Sequence, residues 1–531
     1  LKIEKTILGP PGCGKTQTNS NLIQGYIKEG IEPQRIACVS FSKKAARESK
    51  ERVCNDWNIL DEDLPYFRTL HSMAFGSLGF KTTDVLRGKD MKEIGYKVGL
   101  DFAGKSTGKD TESDFEWIGN QKGDEYLKIY QLSRSRLKSL EEVFQEEGNY
   151  NLIYSELTRL VEAYENYKKV KGKVDFTDMI ERFIAEDQCP DIEALIVDEA
   201  QDLSTLQWKM IDTIRQSPNI QIFTGDDDQA IMNFQGADVQ AFLSATKEKE
   251  VLNQSYRIPE TVWEQAQQIV TRIDDRAPKE WHPKKEKGSI FYHNSLEEVP
   301  IETGEWTILA STNRLLDRYA LQLREEGWIY SRHDHPSIPR KLYDAILSWE
   351  SLSKGEEISV SQVRNIYDHM NANEGFKKGF GGRSKKFLEL PADSLIRMDY
   401  LRDHLGLLVD GSKRWHQVLG KVGLNTQNYL LNALKRGDNV KSPRIKLSTI
   451  HSMKGGESDN ILLISDISYA ASKEMIPRPS TLHRMFYVGV TRNKENLNIM
   501  KREKERYYEI LRYRTKGENI IKVLKYNPRN L

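Results

Sequence analysis

Ala194-Leu195-Ile196-Val197-Asp198-Glu199-Ala200-Gln201-Asp202 decides the fold, together with Ile220-Gln221-Ile222-Phe223-Thr224-Gly225-Asp226-Asp227-Asp228-Gln229, one helix-length further on. Each stretch is a short apolar run of strand length that ends in a cluster of acids. An open parallel α/β sheet gathers its ligand chemistry outside the carboxyl ends of its strands. A glutamine follows each cluster, Gln201 and Gln229, and places a neutral polar reporter beside a charged site. Together they point to a hydrolase that handles a metal-bound nucleotide, senses a phosphate and acts on something else.

The partner of those acids lies near the start of the chain. After the apolar strand Ile3 to Leu8 comes Gly9-Pro10-Pro11-Gly12-Cys13-Gly14-Lys15-Thr16, which fits the phosphate-loop pattern Gly-x4-Gly-Lys-Ser/Thr. Its glycines let backbone N–H groups curl around phosphate oxygens at a helix N-terminus, where the dipole favours negative charge. Lys15 is expected to reach the β and γ phosphates of ATP, and the Thr16 hydroxyl to ligate Mg²⁺. Asp198 suits a second Mg²⁺ contact, since that ion takes oxygen ligands and keeps several waters. Glu199 is placed to polarise an attacking water.

The pattern along the chain predicts two α/β cores, each a parallel sheet interrupted by a mainly helical insertion. The first core is assigned to residues 1–79 and 174–250, with its insertion at 80–173. In that insertion Tyr126–Gln145 and Tyr154–Val170 read as helices, and Gly104 to Ser113 as a mobile segment. The second core is assigned to residues 251–350 and 441–531, with a shorter insertion at 351–440. Strands are expected near Ile290–Tyr292, Trp306–Ala310 and Ile461–Ile464.

At 531 residues, 38% hydrophobic and 30% charged, the chain has the composition of a multidomain soluble enzyme. It has no apolar stretch long enough to span a bilayer, and no signal peptide is expected. The four cysteines lack metal-ligand spacing and read as the reduced thiols of a cytoplasmic protein. A net charge of +1 does not advertise a nucleic-acid partner. Locally, the tail from Lys501 onward is basic, and Lys377, Lys378, Arg383, Lys385 and Lys386 alternate with glycine and with Phe376, Phe380 and Phe387. Such runs read first as solvated surface, and the second also as a phosphate-contacting loop.

Further blocks appear in a fixed order: Val39-Ser40-Phe41-Ser42-Lys43-Lys44-Ala45-Ala46, Thr69-Leu70-His71-Ser72 and Asp175-Phe176-Thr177-Asp178-Met179-Ile180. After the two acidic stretches come Asn253-Gln254-Ser255-Tyr256-Arg257, Thr449-Ile450-His451-Ser452-Met453-Lys454-Gly455-Gly456-Glu457 and Phe486-Tyr487-Val488-Gly489-Val490-Thr491-Arg492. With the phosphate loop, this ordered set resembles the superfamily 1 DNA helicases of the UvrD/Rep/PcrA group over nearly the whole chain.

The resemblance implies two RecA-like parallel-sheet cores, each with a mainly helical insertion, and it implies roles. Arg257 and Arg492 would reach the γ-phosphate of ATP from the second core, and Gln229 would sense it from the first. Tyr256 would stack on adenine, and Glu457 would accept a hydrogen bond from the ribose. Phe41 and Phe234 would be platforms for single-strand bases; Thr69, His71, Thr449 and His451 would touch the strand backbone. The activity implied is ATP-dependent 3′→5′ translocation on single-stranded DNA and unwinding at single-strand/duplex junctions. Protein partners could engage the helical insertions, and no membrane is involved.

The chain departs from the family pattern at several places. The family's adenine-recognising Gln segment has no counterpart in the residues before Gly9, which shifts base recognition towards Tyr256. Met232, Phe234 and Gln235 stand where Tyr, Trp and Arg are usual, Gly456 replaces a Leu, and Thr481-Leu482-His483-Arg484 replaces a more charged run. Other readings are a translocase that displaces proteins or senses DNA ends with little unwinding, an RNA-directed helicase, a phosphate-loop kinase, and a non-catalytic nucleotide-gated module. A kinase accounts for Lys15 and Asp198 but not for Arg257, His451 and Arg492. No appended nuclease is expected after Arg492.

Overall fold

A computed structural model of the protein describes residues 2–103, 105–106, 117–118, 121–149, 151–437, 439–468, 471–472, 479–501 and 506–510. Apart from Lys105 and Ser106, the Gly104–Ser113 segment lies outside the described residues, as does the basic tail apart from Lys501 and Arg506.

The apolar runs form the centres of two parallel sheets. The first sheet has the strand order Phe67–Thr69, Ile36–Ser40, Ala194–Asp198, Ile220–Gly225, Ile3–Leu8 and Glu248–Val251, and every pairing in it is parallel. Ala194–Asp198 and Ile220–Gly225 are buried along their whole length, as strands covered by helices on both faces must be. Register does the rest. Leu8 pairs with Gly225 and Ser40 with Asp198, so the phosphate loop, Asp198–Glu199 and Asp226 leave the sheet along one edge.

The second sheet runs His335–Pro336, Tyr330–Arg332, Ile445–Thr449, Trp306–Ala310, Ser458–Ile464, Asn493–Met500 and Ser289–His293. It is parallel except for the short antiparallel pairing of the first two strands. The two cores are RecA-like. Each has its own apolar centre, around Leu195, Val197 and Phe223 in the first and Ile461, Leu463 and Phe486 in the second.

Both insertions have closed cores of their own. In the first, Ile94, Tyr126, Leu132, Leu157 and Tyr164 pack together. The expected helix Tyr126–Gln145 is two helices, Lys122–Ser135 and Leu140–Glu147. Between them Leu137 takes φ 52°, a left-handed conformation that ends a helix, and Ser139 caps the next one by accepting from the Glu142 amide. Ser139 and Glu142 form a capping box that marks the break locally, but the apolar spacing runs on across it. In the second insertion, helix Arg340–Ser353 buries Leu342, Ile346 and Trp349 against Val363, Tyr367 and Leu430. The packed unit therefore begins upstream of residue 351, because an amphipathic stripe reads the same whichever core it faces.

Candidate active site

The phosphate loop folds as a strand-turn-helix, with Lys15 opening the helix Lys15–Lys28. Gly12 and Gly14 take φ values of 71° and 82°, which a side chain would strain. Gly12 is also pressed by the second core: a Cβ there would lie 2.3 Å from the Cβ of Arg257. The contact is fastened by the Tyr256 amide, which donates to the Gly12 carbonyl (2.8 Å), and by the Ser255 hydroxyl, which donates to that of Pro11 (2.7 Å). The Lys15 ammonium donates to the Gly9 carbonyl at 3.0 Å and stands 3.9 Å from Glu199. Cys13 is buried, which raises its thiol pKa. Pro10 and Pro11 complete the turn, and Thr16 sits partly exposed in the first turn of the helix.

Asp198 ends its strand buried, accepting from the Thr224 hydroxyl (3.0 Å) and from the Glu199 amide (3.1 Å). Burial and the adjoining Glu199 charge push its pKa up to about 6. Glu199 is pushed up by burial too, but Lys15, then Lys454, Gln201 and Arg492, outweigh this and hold it at about 2. Thr16 and Asp198 offer hard oxygen donors, and Asp198 is a buried acid with little compensation from cations, so the donor set fits Mg²⁺. Beyond it, Gln201 links the two acidic stretches. It donates to Glu199 (2.6 Å) and accepts from the Asp226 amide (3.0 Å).

Across the cleft, Arg492 is 1% exposed, yet its hydrogen bonds all go to neutral oxygens: the carbonyls of Val488 and Gly456, the Thr491 hydroxyl and, at 2.5 Å, Gln229 Oε1. Burial, then the neighbouring Arg257 charge, pulls its pKa down to about 9. A buried guanidinium whose hydrogen bonds go to neutral oxygens is one that an anion would stabilise. Arg257 instead pairs with Glu457 at 2.7 Å. Tyr256 beside it is 75% exposed, free to meet a flat ring.

The residues expected to face a nucleic acid divide into two groups. Phe41, His71 and Phe176 line one cavity with Thr177, Gln207 and Gln235, and His71 meets Phe176 edge-on at 5.7 Å. Phe234, 41% exposed, stands edge-on to His451 at 5.3 Å. Phe41 is a half-buried ring, partly packed into the first core. Thr69 and Thr449 differ from the expectation: both are buried, and their hydroxyls accept from the amides of Ser72 and Ser452. They cap turns that hold His71 and His451 in place.

Several residues that shape the site were not singled out by the sequence. Lys454 donates to both oxygens of Asp202 and to the Gln229 carbonyl, all at 2.6 Å. Burial raises the Asp202 pKa to about 6 despite that partner. Arg484, buried, donates to the Asp227 carbonyl at 2.8 Å. Asp202, Lys454 and Arg484 all lie within quoted blocks, so their place in the motifs was the available signal.

Two parallel-sheet cores, a phosphate loop on one and buried arginine from the other define a two-core phosphate-loop nucleotide-binding protein. Residues 2–250 match the UvrD/REP helicase N-terminal domain, and residues 422–504 the UvrD-like helicase C-terminal domain. The chain belongs to the UvrD/Rep helicase family, in the superfamily 1 group that includes PcrA. The ATP-dependent DNA helicase PcrA of Leuconostoc citreum is 26% identical to it over 323 residues, 55% of this chain and 40% of that protein. PcrA of Staphylococcus aureus is 25% identical over 317 residues (55% and 41%), and that of Staphylococcus epidermidis 24% over 318 residues (55% and 41%). The matches thus span about two fifths of each curated relative's length. Among the described residues, no helix is long and apolar enough to cross a membrane.

Proposed function

We propose that the protein is an ATP-dependent DNA helicase that moves 3′→5′ along single-stranded DNA and separates strands at single-strand/duplex junctions. Lys15 and the loop amides of Gly9–Thr16 bind the phosphates of ATP, Tyr256 stacks on the base and Glu457 accepts from the ribose. Thr16 and Asp198 would hold Mg²⁺, which would supply charge neutralisation at the phosphate oxygens. Glu199, kept ionised, orients and polarises the attacking water, while Arg257, Arg492 and Gln229 meet the charge developing on the γ-phosphate.

The observation that carries this reading is Arg492, a buried second-core cation bonded only to neutral oxygens and aimed at first-core Gln229. An anion delivered there gains most when both cores close on it, and hydrolysis removes that gain. This is a two-state element biased by a ligand, as a stepping motor requires. Phe41 and Phe234 supply stacking platforms, His71 and His451 line the strand's path, and the insertions offer surfaces for protein partners.

ATP hydrolysis measured side by side with single-stranded DNA, duplex DNA and RNA tests the reading. Single-stranded DNA is expected to stimulate turnover most, and Lys15→Ala to reduce it by about 100-fold or more. Undiminished hydrolysis in that variant would sink the proposal, and preferential stimulation by RNA would change the track. Strand displacement on duplexes with 3′ or 5′ tails then tests unwinding and polarity.

A further inference from the structure

The turn Asp226–Gln229 belongs to the first core, but its charges are answered by the second. Asp226, Asp227 and Asp228 are each 0% exposed. The segment after helix Glu260–Val270 enters this acidic pocket with Arg276 and Lys279. The Lys279 side chain is 0% exposed, and its ammonium lies 3.3 Å from Asp226 and 2.9 Å from Asp228, in direct contact with Asp227. Arg276 forks onto both oxygens of Asp228 at 2.7 Å. The Ala277 amide donates to Asp227, also at 2.7 Å.

Asp226 is the member of this cluster that touches the reaction's machinery. Its Oδ1 accepts from the Asp228 amide (3.2 Å) and faces Lys279; its Oδ2 accepts from Gln229 Nε2 at 2.7 Å. An ionised carboxylate can only accept, so it draws the amide nitrogen of Gln229 to itself and leaves Oε1 pointing at Arg492. A protonated Asp226 would be able to donate, and would then hold the amide equally well the other way round. Three buried carboxylates in one turn cannot all stay ionised without cations beside them.

We propose that Lys279 is a positioning residue for nucleotide hydrolysis: by keeping Asp226 an acceptor it fixes the orientation of Gln229 and hence the alignment of Arg492. The second core thereby sets the first core's phosphate sensor from behind, through a lysine that touches no ligand. This rests on the reading of Gln229 and Arg492 as γ-phosphate contacts.

The test is steady-state ATP hydrolysis with saturating single-stranded DNA for Lys279→Met, Asp226→Asn, Arg276→Gln and Gln229→Ala. Lys279→Met and Asp226→Asn are expected to lose about tenfold or more in kcat with KM for ATP within about threefold of wild type, the pattern of a group aligned for the transition state rather than for binding. Arg276→Gln, which loosens only Asp228 and leaves it paired with Lys279, is expected to stay within about twofold in kcat. If Lys279→Met does not fold, Asp226→Asn, which lowers the buried negative charge, decides alone. A folded Lys279→Met, or an Asp226→Asn, with wild-type kcat overturns the inference, and so does an equal loss in Arg276→Gln. If Gln229→Ala itself keeps full kcat, the underlying site reading fails; if it loses kcat while the other two do not, only this inference fails.

Discussion

The same four-residue turn occurs once in each core and is wired differently. Thr69-Leu70-His71-Ser72 and Thr449-Ile450-His451-Ser452 each leave the end of a parallel strand. In each, the threonine hydroxyl caps the turn at 3.2 Å and the histidine meets a phenylalanine edge-on. The first copy opens the helix Leu70–Ser77, and His71 and Phe176 line a cavity with Phe41. The second continues to Lys454, which binds Asp202 and the Gln229 carbonyl of the other core. A shift of the second turn therefore pulls on the nucleotide site within three residues of His451. The two cores share the motif, and the second copy carries the hydrogen bonds to Asp202 and Gln229 across the cleft.

Cutting that link is expected to have the largest effect. Lys454→Ala leaves Asp202 buried without its cation, and breaking a buried pair costs about 3–5 kcal/mol. Urea unfolding should show a loss of that order, smaller if Asp202 takes up a proton. The variant should also lose most DNA stimulation of ATP hydrolysis while still binding single strands. If stimulation survives in a folded Lys454→Ala, the two turns are equivalent and the asymmetry has no mechanical meaning.

Removing one platform from each side probes the grip itself. Phe234→Ala and Phe41→Ala should each weaken single-strand binding by about 1–3 kcal/mol, the range of one base–aromatic stack. Fluorescence titration with an oligonucleotide measures this. Phe234 stands against His451, so its loss should also lower maximal DNA-stimulated turnover. Loss of Phe41 should change affinity alone. Equal effects of the two variants on turnover would count against the distinction.

Local pattern revealed one part of this arrangement and hid the other. Strands such as Ala194–Asp198 are legible because burial on both faces leaves an unbroken apolar run, and the phosphate loop because its glycine spacing has one geometric use. Glu199, Gln229, Arg257 and Arg492 are marked by the family blocks, and the structure draws them to one cleft. Lys279 had no such mark. Nothing near it distinguishes it from the other 78 lysines and arginines, and its three carboxylates lie some fifty positions upstream. Thr69 and Thr449 were legible as motif members but not as caps, since a hydroxyl beside a nucleic-acid path and a hydroxyl closing a turn have the same sequence. The helix Arg340–Ser353 shows the same gap: the sequence placed residues up to 350 with the second core, but its apolar stripe packs on the insertion.

The smallest expected effect distinguishes the second turn by acidity. His451 donates to the Ile231 carbonyl, but burial, then the Lys454 charge, brings its pKa down to about 4 from an ordinary 6.5. Above pH 6.5 the imidazole is neutral in both folded and unfolded chains, and it contributes no pH dependence. Between pH 6.5 and 4 the unfolded chain binds a proton that the folded chain refuses, so stability falls as pH falls through this window. His483, brought by burial and Arg272 to about 4, adds a slope of the same sign. His451→Asn should therefore keep the His483 share and lose its own, flattening the decline of the urea midpoint between pH 6.5 and 4.5. An unchanged slope in that variant would mean that His451 is protonated as readily in the folded protein as outside it, with Lys454 too far away to oppose it. The second turn would then lose its electrostatic tie to the nucleotide site, and the contrast with the first would rest on the Lys454 hydrogen bonds alone.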